Sequence, residues 1–236
     1  MNLPIEIFYD GTDILNYSQM PDITGFTTNI SFLKKKGITD YNKYITDTLK
    51  LTGDKPISFQ IFADNHDDIE KQARHINSFG KSIYVKIPIV NTKGESNLPI
   101  IIKLLEDHIK VNITAVFSLT QVNEFFSEIW KKKFVFTTDC IISIFSGRIS
   151  DTGVDPKDLC KTTKELFKDY NNVKILWAGC KGVFNVFEAI KSGCHIVTAP
   201  ESVIDRMHRV GKDLNGQSVD TVTGFYNDGK ELFFNY

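Results

Sequence analysis

The alternation of short, β-rich apolar runs with helical stretches constrains this chain more than any other feature. Eight runs read as strands: Glu6 to Tyr9, Gly25 to Thr28, Ile57 to Phe62, Ser82 to Ile87, Val111 to Val116, Cys140 to Phe145, Lys174 to Ala178 and His195 to Ala199. Helical patterns lie between or after most of them, at Tyr41 to Leu51, Asp67 to Phe79, Asn97 to His108, Leu119 to Lys131, Pro156 to Asp169, Val183 to Ser192 and Glu201 to Val210. Asp64 and Ser118 suit N-caps, Pro156 suits a first helical position, and Gly80 and Gly193 read as helix stops. Strands that alternate with helices imply a parallel sheet with helices packed on it. Eight such units predict an α/β fold, a single (β/α)8 TIM barrel over residues 1–236. An open doubly wound sheet has the same local signature, but no G-x-G-x-x-G turn follows the first strand.

With 42% hydrophobic and 24% charged residues, the chain can bury a sizeable core, as one soluble domain or two small ones. No Pro/Gly/Ser-rich linker divides it. A formal net charge of -1 leaves no electrostatic footprint for nucleic acid or an anionic membrane. The basic runs Lys34-Lys35-Lys36 and Lys131-Lys132-Lys133 read as solvated faces. Cys140, Cys160, Cys180 and Cys194 form no C-x-x-C pair, which indicates neither a zinc site nor a disulfide framework and fits a reducing compartment. No stretch of 18 apolar residues and no charged leader followed by an apolar run occurs, so a cytoplasmic protein is expected.

In a barrel of this kind the reactive groups gather at the C-terminal ends of the strands. Those ends carry Asp10, Thr28 with Asn29, Gln60, Lys86, Thr114, Arg148 and Lys181. Lys86 lies inside the apolar run from Ser82 to Val90, and a lysine drawn out of water loses preference for its charged form. A neutral amine is a nucleophile, and one on a strand points to carbonyl chemistry through a Schiff base. The alternative is a strand-end lysine that snorkels to solvent. Asp10 reads either as a proton-transfer carboxylate or as a turn residue capping the next helix. Arg148 offers a fork for phosphate in a chain with four arginines and 24 lysines, or a partner for Asp151. His66 with Asp67 and Asp68 reads as a solvated first helical turn rather than a metal site, and no metal or organic cofactor is expected.

The motifs Phe8-Tyr9-Asp10, Gly25-Phe26-Thr27-Thr28-Asn29, Val85-Lys86-Ile87-Pro88, Thr114-Ala115-Val116-Phe117-Ser118 with Gln121, Gly147-Arg148-Ile149 and the stretch from Ile175 to Pro200 occur in order along the chain. In these the chain resembles the transaldolase family, especially the small branch that includes fructose-6-phosphate aldolase. The resemblance implies a barrel of the class I aldolase type with the strand-four lysine, here Lys86, condensing with the ketone of a ketose phosphate. It places Asp10 on the carboxylate that takes the hydroxyl proton in C–C cleavage and Thr114 on the hydroxyl that holds the catalytic water. Asn29 falls on a substrate-positioning amide, Arg148 on the phosphate-binding arginine, and Lys181 on a second phosphate cation.

The chain departs from the family pattern at several points. Ile30 replaces the proline expected after Asn29, and Gly179 replaces the phosphate-loop serine. Gln60 stands where transaldolases have glutamate, and Phe145 where the aldolase branch has a tyrosine. The expected catalytic set is therefore Lys86, Asp10, Thr114 and Gln60. The substrate-binding set is Asn29, Thr28, Phe145, Arg148 and Lys181. The resemblance implies a transaldolase that moves a dihydroxyacetone unit from fructose 6-phosphate to an aldose phosphate, within carbohydrate metabolism such as the pentose phosphate pathway. A sugar-specific aldolase and a non-catalytic sugar-phosphate binding protein are the rival readings. Residues 211–236 form a tail with aromatic flanks around Asn227-Asp228-Gly229, which predicts a small hairpin and a contact between subunits of a homo-oligomer.

Overall fold

A computed structural model describes residues 3–131 and 137–232 and closes eight parallel strands into a ring. The strands are β1 (Glu6–Asp10), β2 (Ile23–Thr27), β3 (Ile57–Gln60), β4 (Ile83–Pro88), β5 (Val111–Val116), β6 (Cys140–Ile144), β7 (Val173–Trp177) and β8 (Ile196–Ala199). Each pairs with its neighbour in sequence, and β8 returns to β1 with Glu6 opposite Ile196 and Tyr9 opposite Ala199. The (β/α)8 barrel expected from the alternation is the fold, with strand ends within two residues of those expected.

Around the ring lie α1 (Ile14–Ser18), α2 (Ile30–Lys35), α3 (Tyr41–Thr52), α4 (His66–Asn77), α5 (Leu98–Glu106), α6 (Leu119–Lys131), α7 (Ser146–Asp151), α8 (Lys157–Leu166), α9 (Val183–Lys191), α10 (Glu201–Ile204) and α11 (Leu214–Gly229). The outward residues of the strands, such as Phe59, Val85, Ile113 and Trp177, pack with Ile69 and Ala73 of α4, Ile101 of α5 and Phe125 of α6 in one continuous core. Burying each large side chain of that core stabilises the fold by about 1.5–3 kcal/mol before the entropy of ordering it.

Side chains alternate with period two, and this sets what faces the barrel axis. Phe8, Tyr84, Ile141, Leu176 and Ile196 form a second, smaller cluster inside the ring. Gly25 belongs to this layer because a Cβ there would come within 2.5 Å of the Phe8 ring. Two residues further along the same strands the inward positions are Asp10, Thr27, Lys86, Ser143 and Thr198, all of which line a cavity at the C-terminal end.

Several local expectations are corrected. Asn65, not Asp64, caps α4 by accepting a hydrogen bond from the amide of Asp68, while Asp64 accepts from the amide of Thr92 at 2.8 Å and from its hydroxyl. The stretch from Glu201 to Val210 is the short α10 followed by a 3-10 turn at Met207–Arg209. The helices α1, α2 and α7 were not anticipated; each has only five or six residues, too few for a periodic pattern to register. Ser118 does cap α6, its hydroxyl accepting from the amide of Gln121 at 3.3 Å.

The expected hairpin at the C-terminus is instead the helix α11. Asp213 starts it, its carboxylate accepting from the amide of Gly216 at 2.7 Å, and Asn227-Asp228-Gly229 makes the last turn. A two-stranded hairpin is marginal without a sheet to join, and a closed ring has no free edge. Phe233 and Phe234, and Lys132 and Lys133 of the second basic run, lie outside the described residues; Lys131 is exposed and paired with Glu128.

Candidate active site

The cavity at the C-terminal end of the ring has a volume of about 690 Å³. Lys86 rises into it from the middle of β4 and is only 6% exposed, which removes the snorkelling alternative. Its ammonium nitrogen donates to the backbone carbonyl of Thr28 at 3.0 Å. Burial pushes the Lys86 amine below the ordinary lysine value; Asp10 opposes that shift and the Arg148 guanidinium adds to it. The neutral, nucleophilic form is thus favoured by the same packing that makes the strand.

Asp10 ends β1, half-buried, with its carboxyl in the cavity wall. It does not cap α1; it accepts from the hydroxyl of Thr27 at 2.7 Å. Burial pushes its carboxyl above the usual range, against the opposing pull of Lys86 and of the Thr27 hydrogen bond. Asp10 and Lys86 line the same cavity, and burial drives both toward their neutral forms.

Thr114 is 2% exposed and lines the cavity, and its hydroxyl is a buried polar group without a partner among the described residues. Such a group calls for a water or a ligand atom. The register of β5 against β6 slips between Ile113 and Val116, and Ala115 within the slip has φ of 58°, in the left-handed region. A non-glycine residue there costs about 1–2 kcal/mol, strain that clusters at functional sites.

Asn29 lines the cavity while its side-chain oxygen caps α2 through the amide of Phe32 at 3.0 Å. Gln60 lines it from the end of β3. Phe145 and Arg148 line it together, the guanidinium carbon 5.2 Å from the ring centroid. Two expected residues are placed elsewhere. Thr28 is fully buried with its hydroxyl donated to the carbonyl of Ser58 at 2.9 Å, so its backbone rather than its side chain serves the site. Lys181 is outside the cavity wall and paired with Asp151 on the surface. Gly179 is in the wall with φ of 74°, its backbone against Gly147, a conformation that a serine would occupy only with strain.

The sequence reading missed Thr27, Ser143 and Thr198 in the cavity wall and Asn112 beneath it. Ser143 donates to the side-chain oxygen of Asn112 at 2.7 Å, and the Asn112 amide donates to Ser58 at 2.9 Å, a buried polar chain across three strands. The available signal was polarity two residues beyond an apolar inward position. Among the described residues no cluster of histidine, cysteine or acidic side chains could hold a metal ion.

A parallel eight-stranded barrel whose open end holds a buried lysine, a carboxylate and an arginine defines the class, a TIM-barrel enzyme scaffold of the aldolase kind. The family description "Transaldolase/Fructose-6-phosphate aldolase" matches residues 7–234, and the chain belongs to that family. A probable transaldolase of Clostridium kluyveri is 30% identical over 198 residues, covering 83% of this chain and 84% of its own. One from Thermoplasma volcanium is 28% identical over 234 residues, covering 97% and 96%. Among solved structures, 3-hexulose-6-phosphate synthase from Salmonella typhimurium superposes with a TM-score of 0.60 at 13% identity, covering 89% of this chain and 94% of that one, a likeness of fold alone.

Proposed function

We propose that the protein is a Schiff-base transaldolase that transfers a dihydroxyacetone unit from a ketose phosphate, with fructose 6-phosphate as donor, to an aldose phosphate. The observation that carries this reading is the burial of Lys86 in the same cavity as Asp10 and Arg148. The Lys86 amine adds to the ketone carbon, water leaves, and an iminium remains. Asp10 takes the proton of the C4 hydroxyl as the C3–C4 bond breaks, its electrons passing to the iminium to give an enamine and a free aldehyde. The enamine then adds to the acceptor aldehyde, which takes a proton, and water held at Thr114 hydrolyses the new iminium. Gln60 and Asn29 hydrogen-bond sugar hydroxyls, and Phe145 with Arg148 shapes the phosphate end. With Lys181 paired to Asp151 and Gly179 without a hydroxyl, Arg148 is the principal phosphate ligand in this reading.

The exposed apolar stripe of Val219, Val222 and Tyr226 on α11, with Phe225 beside it, supports a subunit contact in a homo-oligomer. Among the described residues no helix is long and apolar enough to cross a membrane, and four buried free cysteines fit a reducing cytoplasm.

Incubation with fructose 6-phosphate and borohydride tests the chemistry. A reduced adduct on Lys86, found by peptide mass, is the expected result. Binding without an adduct would return the protein to the sugar-phosphate binding class. Release of aldehyde that is stimulated by erythrose 4-phosphate supports the transferase, whereas release of dihydroxyacetone without an acceptor supports an aldolase.

A further inference from the structure

We propose that Thr27 and Thr198 form a two-hydroxyl brace that orients Asp10 for proton transfer and serves it in both of its protonation states. The proposal deepens the reading of Asp10 as the proton acceptor. The geometry is a chain across three adjacent strands. Thr27 on β2 reaches the Asp10 carboxylate on β1 at 2.7 Å, and the same hydroxyl oxygen lies 2.5 Å from the Thr198 hydroxyl on β8. Thr27 and Thr198 are 1% and 3% exposed, so water does not compete freely for these bonds.

Counting hydrogens fixes the direction of the chain. An ionised carboxylate only accepts, so the single Thr27 hydrogen goes to Asp10 and Thr198 must donate to Thr27. Asp10 is then gripped at one oxygen, and the other is left for the substrate hydroxyl. When Asp10 takes the substrate proton on its free oxygen, the gripped oxygen becomes the carbonyl of the acid and still accepts from Thr27, while Thr198 still donates to Thr27. No hydroxyl has to rotate and no heavy atom moves. A base that stays hydrogen-bonded before and after it takes its proton has little to reorganise during the reaction.

Other charges face Asp10 and set the background. Lys86, Arg148 and Lys35 share its cavity. Tyr9, Asp13, Lys36 and Glu201 line an adjoining cleft of about 220 Å³ that shares Asp10, and Cys180 lies near enough to sense its charge. The brace is the contribution that can be removed without altering any of these charges.

Aspartate labelled with ¹³C at the side-chain carboxyl, with Asp10 assigned through D10N, gives the readout by NMR titration of the full chain. Thr27→Val keeps the shape and removes the hydroxyl; because the bond to the charged carboxylate is stronger than the bond to the neutral acid, it should raise the Asp10 midpoint by about one pH unit, a tenfold change in proton affinity. The acid limb of kcat should move with it and kcat should fall about tenfold. Thr198→Val should act in the same direction with a smaller shift, and Thr27→Ser should restore the wild-type midpoint. An unmoved Asp10 midpoint in a folded Thr27→Val protein, shown folded by its amide spectrum, overturns the brace. If D10N itself still cleaves the donor, the role of Asp10 in the proposed function is wrong, while the titration continues to judge the brace.

Discussion

The two ends of the barrel interior are built from the same strands two residues apart, yet they do opposite work. At the N-terminal end Phe8, Tyr84, Ile141, Leu176 and Ile196 close the ring with an apolar plug. At the C-terminal end Asp10, Lys86, Ser143 and Thr198 take the corresponding inward positions on four of these strands, and Thr27 follows Gly25 on β2. The plug is a floor that excludes water from below, so the polar layer sits in a medium that desolvates Lys86 and Asp10 from one side while substrate enters from the other. On β1, β4, β6 and β8 stability and chemistry are separated by one pleat, as in Tyr84 and Lys86 of β4, whereas β3 and β5 place the hydrogen-bonded Ser58 and Asn112 beneath the site.

The largest way to break that division is at Lys86. Replacing it by methionine should abolish turnover, on the order of 10⁴-fold or more in kcat. The fold should tolerate the change, because an apolar side chain of similar volume takes the place of a buried amine. The stability effect should depend on pH with a definite sign. Burial lowers the Lys86 pKa in the folded state, so the unfolded chain takes up the proton first as pH falls. Relative to Lys86→Met, the wild type should therefore lose stability as pH drops below about 10.4, the unfolded lysine value, and stop losing it below the folded value. Urea midpoints measured for both proteins between neutral and alkaline pH check this; parallel curves would place Lys86 in water.

The plug can be challenged at Gly25. Gly25→Ala drives a methyl into the Phe8 ring and should destabilise by about 1–3 kcal/mol, with a lower denaturation midpoint. Pairing it with Phe8→Leu should recover part of that loss; if the two losses simply add, the contact does not define the floor. A smaller effect is expected at the rim. Gly179→Ser places a side chain at a φ of 74° and should cost about 1–2 kcal/mol. A neutral result by thermal melt would show that the backbone there accepts the serine common in the family.

Much of the scaffold was legible in the residues. Eight apolar β-rich runs, most of them followed by a helical stretch, are a local pattern, and local patterns survive being read one window at a time. Lys86 and Asp10 stood out because a charge at the end of an apolar run conflicts with its surroundings. Thr27, Ser143 and Thr198 carried no such conflict, since threonine and serine are unremarked in strands. The helices α1, α2 and α7 were too short for periodicity, and α11 was misread because Asn227-Asp228-Gly229 suits both a hairpin turn and a helix end.

The chain's own pattern settled the kind and order of its elements, the parallel sheet they must build, and the presence of one lysine at odds with its strand. Closure of the ring decided the rest. Thr198 meets Thr27 only because β8 pairs with β1, bringing together hydroxyls 171 residues apart. Lys181 turns to Asp151, and Thr28 gives its carbonyl rather than its hydroxyl, because those partners exist only once the loops have packed. Periodicity is a property of neighbours along the chain, whereas the protonation of a buried group depends on what the fold sets against it in space.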